Sequence, residues 1–111
     1  MAYSRINVTN VIAPRTLRTF WDNHPHAEVP LKAWLRDIQK SRYESFADLR
    51  ERYPNADLAK AKDGSTVVVF NVGGNKYRLV VYISYKSQRV YIRQIFTHEE
   101  YDFWNRQGRP T

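Results

Sequence analysis

Cysteine is absent from this 111-residue chain. No disulfide framework and no thiolate metal site can form, and a reducing cytoplasm is the expected location. Long apolar runs are missing as well. None approaches a membrane span, and the stretch from Met1 to Arg15 holds no apolar block of signal-peptide length, so no membrane partner is expected. Metal and nucleotide motifs are also lacking. There is no HExxH, no paired carboxylate cluster, and no Walker lysine-serine pattern after Gly73-Gly74, so no cofactor is expected. His24 and His26 flank Pro25 between two helical stretches and read as loop residues. Acidic residues are few beside basic ones, 11 against 18, which leaves a net charge of +7. A small chain of that charge is drawn to polyanions, although the same charge also serves plain solubility.

Apolar residues make up 42% of the chain, the globular norm, and the length suits one domain over residues 1–111. The first half reads helical and the second half reads as strands, which predicts an α+β fold. Arg5 to Val8 could form a short N-terminal strand. Pro14 suits the first turn of a helix whose apolar face is Leu17, Phe20 and Trp21, and His24-Pro25 ends it. A second helix is expected from about Glu28 to Tyr43, striped by Leu31, Trp34, Leu35 and Ile38. Ser45 to Asp48 resembles a capping box opening a short helix that stops by Pro54, and Asn55 to Gly64 reads as a polar connection.

From Ser65 the apolar period becomes two. The runs Thr66–Val72, Tyr77–Tyr85 and Arg89–Thr97 predict a three-strand antiparallel meander, closed by a C-terminal helix from about His98 to Arg106. Two-residue turns at Gly73-Gly74 and Ser87-Gln88 would set Val72 against Asn75, Asn71 against Lys76 and Val69 against Arg78. They would also set Tyr82 against Arg93, Ser84 against Tyr91 and Arg78 against Thr97. One face is then Val68, Phe70, Leu79, Val81, Ile83, Val90, Ile92 and Phe96, expected under the helices. The other carries Asn71, Lys76, Arg78, Tyr82, Ser84, Tyr91, Arg93 and Thr97 and is expected to stay open. Cations among tyrosines suit single-stranded RNA, since guanidinium and ammonium groups neutralise phosphates and phenol rings stack on bases. The same residues would serve equally as an ordinary solvated face with cross-strand cation–π pairs.

Two stretches resemble a known family. Phe70-Asn71-Val72-Gly73-Gly74-Asn75-Lys76-Tyr77-Arg78-Leu79 is similar to the central hairpin of HigB-type toxins, within the RelE-like group. Val90 to Asp102 resembles the last strand and closing helix of that family, with the signature Thr-His-x-x-Tyr-Asp at Thr97, His98, Tyr101 and Asp102. The resemblance implies a RelE-like fold and the toxin role in a type II toxin–antitoxin module. It implies cleavage of mRNA, in many relatives on the ribosome, and neutralisation by a HigA-type helix-turn-helix antitoxin whose complex represses its own operator DNA.

Metal-free RNA cleavage needs a base for the 2′-OH proton, cations for the charge at phosphorus, and an acid for the leaving 5′-oxygen. His98 is the candidate acid or base, because imidazole titrates near neutrality. Tyr101, one helical turn later, could act as an acid or orient a phosphate. Arg78 and Arg93 are the candidate phosphate clamps, unless Asp102 or Glu99 holds either of them in a structural ion pair. Asn71, Lys76, Tyr82 and Tyr91 are candidate RNA contacts, as are Lys60 and Lys62 in the connection. A non-catalytic RNA- or ribosome-binding module would use the same face, and RelE-like relatives that act on DNA gyrase share the fold.

Overall fold

The computed structural model describes residues 8–111. Along the chain come β1 (Asn10–Ile12), α1 (Arg15–Asn23), a 3₁₀ turn at Pro25–Ala27, α2 (Glu28–Ile38) and α3 (Phe46–Arg52). Then follow β2 (Asp57–Lys60), β3 (Thr66–Val72), β4 (Tyr77–Ser84), β5 (Arg89–Thr97) and α4 (His98–Arg106). The sheet order is β1-β5-β4-β3-β2, so the expected α+β class holds, in a RelE-like arrangement. The meander β2 to β5 is antiparallel, and β1 joins β5 in parallel.

Two strands lie outside the expected meander. β2 falls inside the stretch read as a polar connection. It is a short edge strand with exposed Asp57, Leu58 and Lys60, so it carries no alternating apolar signal. β1 runs over Asn10–Ile12, whereas the strand expected at Arg5–Val8 falls, apart from Val8, outside the described residues. The second helix stops at Ile38 rather than Tyr43. Tyr43 is instead drawn into the core, where its hydroxyl donates to the Ile38 carbonyl.

The main core fills one face of the sheet. Leu17 of α1, Leu31, Trp34 and Ile38 of α2, and Leu49 of α3 pack against Val68, Phe70, Leu79, Val81, Ile83 and Val90. Trp34 meets the Phe70 ring edge-on at 5.4 Å, a favourable quadrupole geometry. His24 is more than a loop residue, since its ring stacks on Phe20 at 4.1 Å and meets the edge of Tyr77. Gln88 is only 6% exposed. Its amide nitrogen donates to the Tyr43 and Tyr85 carbonyls, and its amide oxygen accepts from the Tyr43 N–H and the Thr9 hydroxyl. That network ties the β4–β5 turn to the segment after α2, and it leaves no buried amide atom unpaired.

α2 and α3 are joined through Asp37, which accepts from the Arg52 guanidinium and the Tyr53 hydroxyl. The Arg52 hydrogen bond holds the Asp37 carboxyl below its ordinary range, while burial pushes the Tyr53 phenol up. A carboxyl depressed in the fold stabilises above its unfolded pKa and loses that contribution as pH falls through the folded pKa. Asp37→Asn is therefore expected to lower stability near neutral pH and to match the parent chain at strongly acidic pH. The pair is partly solvated, so the difference should be no more than about 1 kcal/mol, read from denaturant midpoints across pH.

The hairpins differ from the expected register, and the difference builds the site. Both loops have four residues rather than two: Gly73 to Lys76 join Val72 to Tyr77, and Tyr85 to Gln88 join Ser84 to Arg89. In the first, Gly73, Gly74 and Asn75 all have positive φ, which sets the wider turn. Each partner slips by two residues, so side chains keep their faces but change neighbours. Asn71 lies opposite Arg78 rather than Lys76, and Val69 opposite Val80 rather than Arg78. Tyr82 lies opposite Tyr91 rather than Arg93 and Ser84 opposite Arg89 rather than Tyr91, while Arg78 differs by one, lying opposite Phe96 rather than Thr97.

A bulge then interrupts β5, where Val81 pairs with Ile92 but Val80 pairs with Gln94. Arg93 is the inserted residue, and it reverses the alternation beyond it. Ile95 turns toward the main core and Phe96 toward the opposite face, the reverse of the expectation for Phe96. Phe96 there joins Trp104 of α4, which is 5% exposed and rests on Val67, Val69 and Val80. Thus α4 does not share a face with α1 to α3, and it covers half of the face expected to be open. The other half, around Tyr82 and Tyr91, remains uncovered.

Candidate functional site

The sequence from Thr97 fixes where the site begins. The Thr97 hydroxyl accepts from the Glu100 N–H at 3.2 Å, and the Glu100 carboxylate accepts from the Thr97 N–H at 2.9 Å. This reciprocal cap starts α4 at His98 directly from the end of β5. The His98 N–H donates to the Lys76 carbonyl at 3.1 Å, so the helix start is pinned to the β3–β4 turn.

His98 is exposed, and its Nδ1 lies 3.4 Å from the Asp102 carboxylate one helical turn later. A carboxylate at one ring nitrogen selects a tautomer and leaves the other nitrogen for substrate. Tyr101 lies on the same helix against Phe96 and Trp104, half-buried, and the Arg78 guanidinium sits 5.6 Å from its ring centroid. Arg78 also donates to the Asn75 and Tyr77 carbonyls at 2.9 and 3.2 Å. These contacts aim the guanidinium without cancelling its charge. Among the described residues neither Arg78 nor Arg93 is in an ion pair, so the structural bridges to Asp102 or Glu99 do not form. Asp102 serves His98 instead. The spacing of four between His98 and Asp102 was the signal for that pair.

A second cluster stands on the uncovered half of the same face. Tyr82 and Tyr91 are direct cross-strand partners with ring centroids 6.2 Å apart, and the Arg93 guanidinium lies 5.6 Å from the Tyr82 ring. With Ser84 they line a shallow open depression. Arg93 keeps the side that alternation from Tyr91 gives it, and the bulge changes only the facing of the residues beyond it. Asp63, in the turn between β2 and β3, is held below its ordinary range by hydrogen bonds from Ser65 and then by the field of Arg93. That turn therefore lies near the same cluster.

The expected site residues thus form two groups rather than one. Asn71, Lys76 and Arg78 stand at the hairpin end with His98 and Tyr101. Tyr82 and its partner Tyr91 stand four residues along β4 from Arg78, about 13 Å away at ordinary strand rise, with Arg93 at the bulge between and its guanidinium turned to Tyr82. Lys60, with its ammonium 3.4 Å from the Thr66 hydroxyl, and Lys62 flank the outer edge of the sheet. Among the described residues no three His, Asp or Glu side chains converge in a group that could hold a metal ion, and no helix is long and apolar enough to cross a membrane.

Residues 27–104 match the HigB toxin family, described as the RelE-like toxic component of a toxin–antitoxin system. The chain belongs to the HigB toxin family. It is 34% identical over 95 residues to the mRNA interferase toxin HigB of Escherichia coli strain K12, a match covering 86% of this chain and 89% of that one. The mRNA interferase HigB of Shigella flexneri matches to the same extent. The mRNA interferase HigB of Escherichia coli O6:H1 is 29% identical over 79 residues, covering 71% and 75% of the two chains. The matched span includes both clusters and most of α4, so the HigB family match rests on the segment that carries the site.

Proposed function

We propose that this HigB toxin is a metal-independent endoribonuclease that cuts mRNA on the ribosome, arresting translation and growth until a HigA-type antitoxin neutralises it. The antitoxin in turn carries the complex to operator DNA. One observation carries the catalytic reading: an exposed imidazole backed by a carboxylate stands at the hairpin end that also holds Arg78, a guanidinium with no acidic partner among the described residues. The names of the relatives support mRNA as the substrate.

The 2′-OH of RNA attacks the adjacent phosphorus and gives its proton to a base. The bond to the 5′-oxygen breaks, and that oxygen takes a proton from an acid. The products are a 2′,3′-cyclic phosphate and a 5′-OH. His98 is suited to carry one proton and Tyr101 to carry the other or to hold the phosphate. Arg78 neutralises charge gathering on the phosphoryl oxygens. Each demand of the step is met by a protein group, so cleavage is expected to persist in a chelator of divalent ions. Tyr82 and Tyr91 give flanking bases a stacking surface, with Arg93 on a neighbouring phosphate and Asn71, Lys76, Lys60 and Lys62 along the backbone path.

The test is induced expression in a bacterial host with mRNA 5′ ends mapped. Growth arrest with new 5′-OH ends at codon-related positions supports the reading. Arrest with intact mRNA moves the target elsewhere, to gyrase for example, and RNA binding without arrest leaves a non-catalytic module. A separate expectation concerns the open cluster. Tyr82→Ala should weaken binding of a short RNA lacking the reactive 2′-OH by about 1–3 kcal/mol, measured by anisotropy at one fixed salt concentration. The same variant should keep its melting temperature, because Tyr82 is exposed.

A further inference from the structure

β5 is paired with β4 along its length, but β1 covers its other side only at Arg89–Tyr91. Ala13 then takes a positive φ, and Pro14 turns the chain into α1. Among the described residues, Ile92 to Thr97 therefore have no strand on their outer side. The hydrogen-bond phase says which backbone groups face outward. The bond from the His98 N–H to the Lys76 carbonyl marks those two as a bonded pair, and such pairs recur at every second residue of an antiparallel ladder. Arg78 with Phe96 and Val80 with Gln94 are in the same phase. The N–H and C=O of Ile95 accordingly point away from β4. The neighbouring Thr97 N–H, on the same outer side, is already taken by the Glu100 carboxylate.

Two grooves flank this stretch, and Ile95 lines both. The larger, about 550 Å³, lies against Phe103 and Trp104 of α4, with Glu99 and Glu100 on its rim. The smaller, about 430 Å³, lies against Phe20 of α1 and His24 just after it. Phe103 is 56% exposed, unusual for a phenylalanine. A free backbone edge between two largely apolar grooves suits an extended peptide, whose main chain pairs with the edge while alternate side chains enter opposite grooves.

We propose that the outer edge of β5 at Ile92–Thr97 receives an extended segment of the antitoxin, with an apolar side chain in each groove and a lysine or arginine against Glu99. Charge selects this occupant. The chain as a whole carries +7, yet the larger groove is rimmed by two carboxylates, which repel RNA phosphate and attract a basic side chain. The proposal rests on the reading that an antitoxin protein neutralises this toxin.

The test is backbone hydrogen exchange on the toxin alone and in complex with its co-purified antitoxin, followed by binding titrations of two variants. The Ile95 amide is expected to exchange at least about 10-fold more slowly in the complex. Ile95→Pro removes an N–H that β4 does not use, and it should raise Kd about 10-fold, the worth of one interface hydrogen bond. Glu99→Lys sits on an exposed helix position, should fold normally, and should also raise Kd. It carries the test if the proline variant proves unstable. A complex that protects other amides and binds Glu99→Lys as tightly as the parent overturns the docking surface while leaving the antitoxin reading intact. A toxin that forms no complex overturns both. Slow exchange of Ile95 in a self-dimer of the free chain would make a second copy the occupant and overturn the proposal.

Discussion

His98→Ala is expected to slow single-turnover RNA cleavage by roughly 10²- to 10⁴-fold, the usual worth of a positioned proton-transfer group. The imidazole is exposed and its one ion pair among the described residues is with Asp102, so the variant should melt within about 0.5 kcal/mol of the parent chain and bind RNA as before. A loss confined to the chemical step separates catalysis from binding. Asp102→Asn should lose less, because the imidazole remains but its preferred tautomer does not. A parent-like rate in His98→Ala would remove the imidazole from the reaction and pass its role to Tyr101, the other proton-bearing group beside Arg78.

Trp104→Ala is expected to cost about 3–5 kcal/mol of stability, since the indole is the centre of the smaller core and its removal leaves a cavity against Val67, Val69 and Val80. Its ring nitrogen also donates to the Pro110 carbonyl at 2.8 Å. For a domain of this size each kcal/mol moves the melting temperature by about 4–8 °C, so the fall should exceed 10 °C. The effect on activity should go beyond the unfolded fraction. Tyr101 packs on the same indole, and His98 is carried by the same helix, so loosening Trp104 unseats both. A loss under 1 kcal/mol, in a calorimetric scan, would mean that α4 is held to the sheet by something other than this side chain.

The residue types of the site were legible in the sequence because their chemistry is local. The boundaries of α4 are those expected, since Thr97 and Glu100 form a cap readable from their spacing. The apolar periodicity of β3 and β4 also identified the buried face, and the slip of two at each turn left it unchanged. What was not legible depends on partners distant in sequence. A bulge has no residue signature, and placing one at Arg93 reversed Phe96 and put α4 on the opposite side from the other helices. β2 escaped notice because an edge strand with charged ends need not alternate. The division of the site into a His98 end and a Tyr82 end likewise followed from register, which turn lengths decide and composition does not.

The parallel pairing of β1 with β5 joins Asn10 to Arg89, two residues 79 positions apart in sequence. Closing so large a loop is entropically slow, whereas β2 to β5 and α4 connect through short turns between neighbours in sequence. The second half of the chain can therefore collapse as a hairpin-rich nucleus, with the N-terminal strand docking late. Arg78, Arg93, His98 and the tyrosines all belong to that early unit. The candidate site and the strand expected to dock last thus lie in different halves of the molecule, so slow docking of β1 would delay completion of the sheet and leave the arrangement of Arg78, Arg93 and His98 undisturbed.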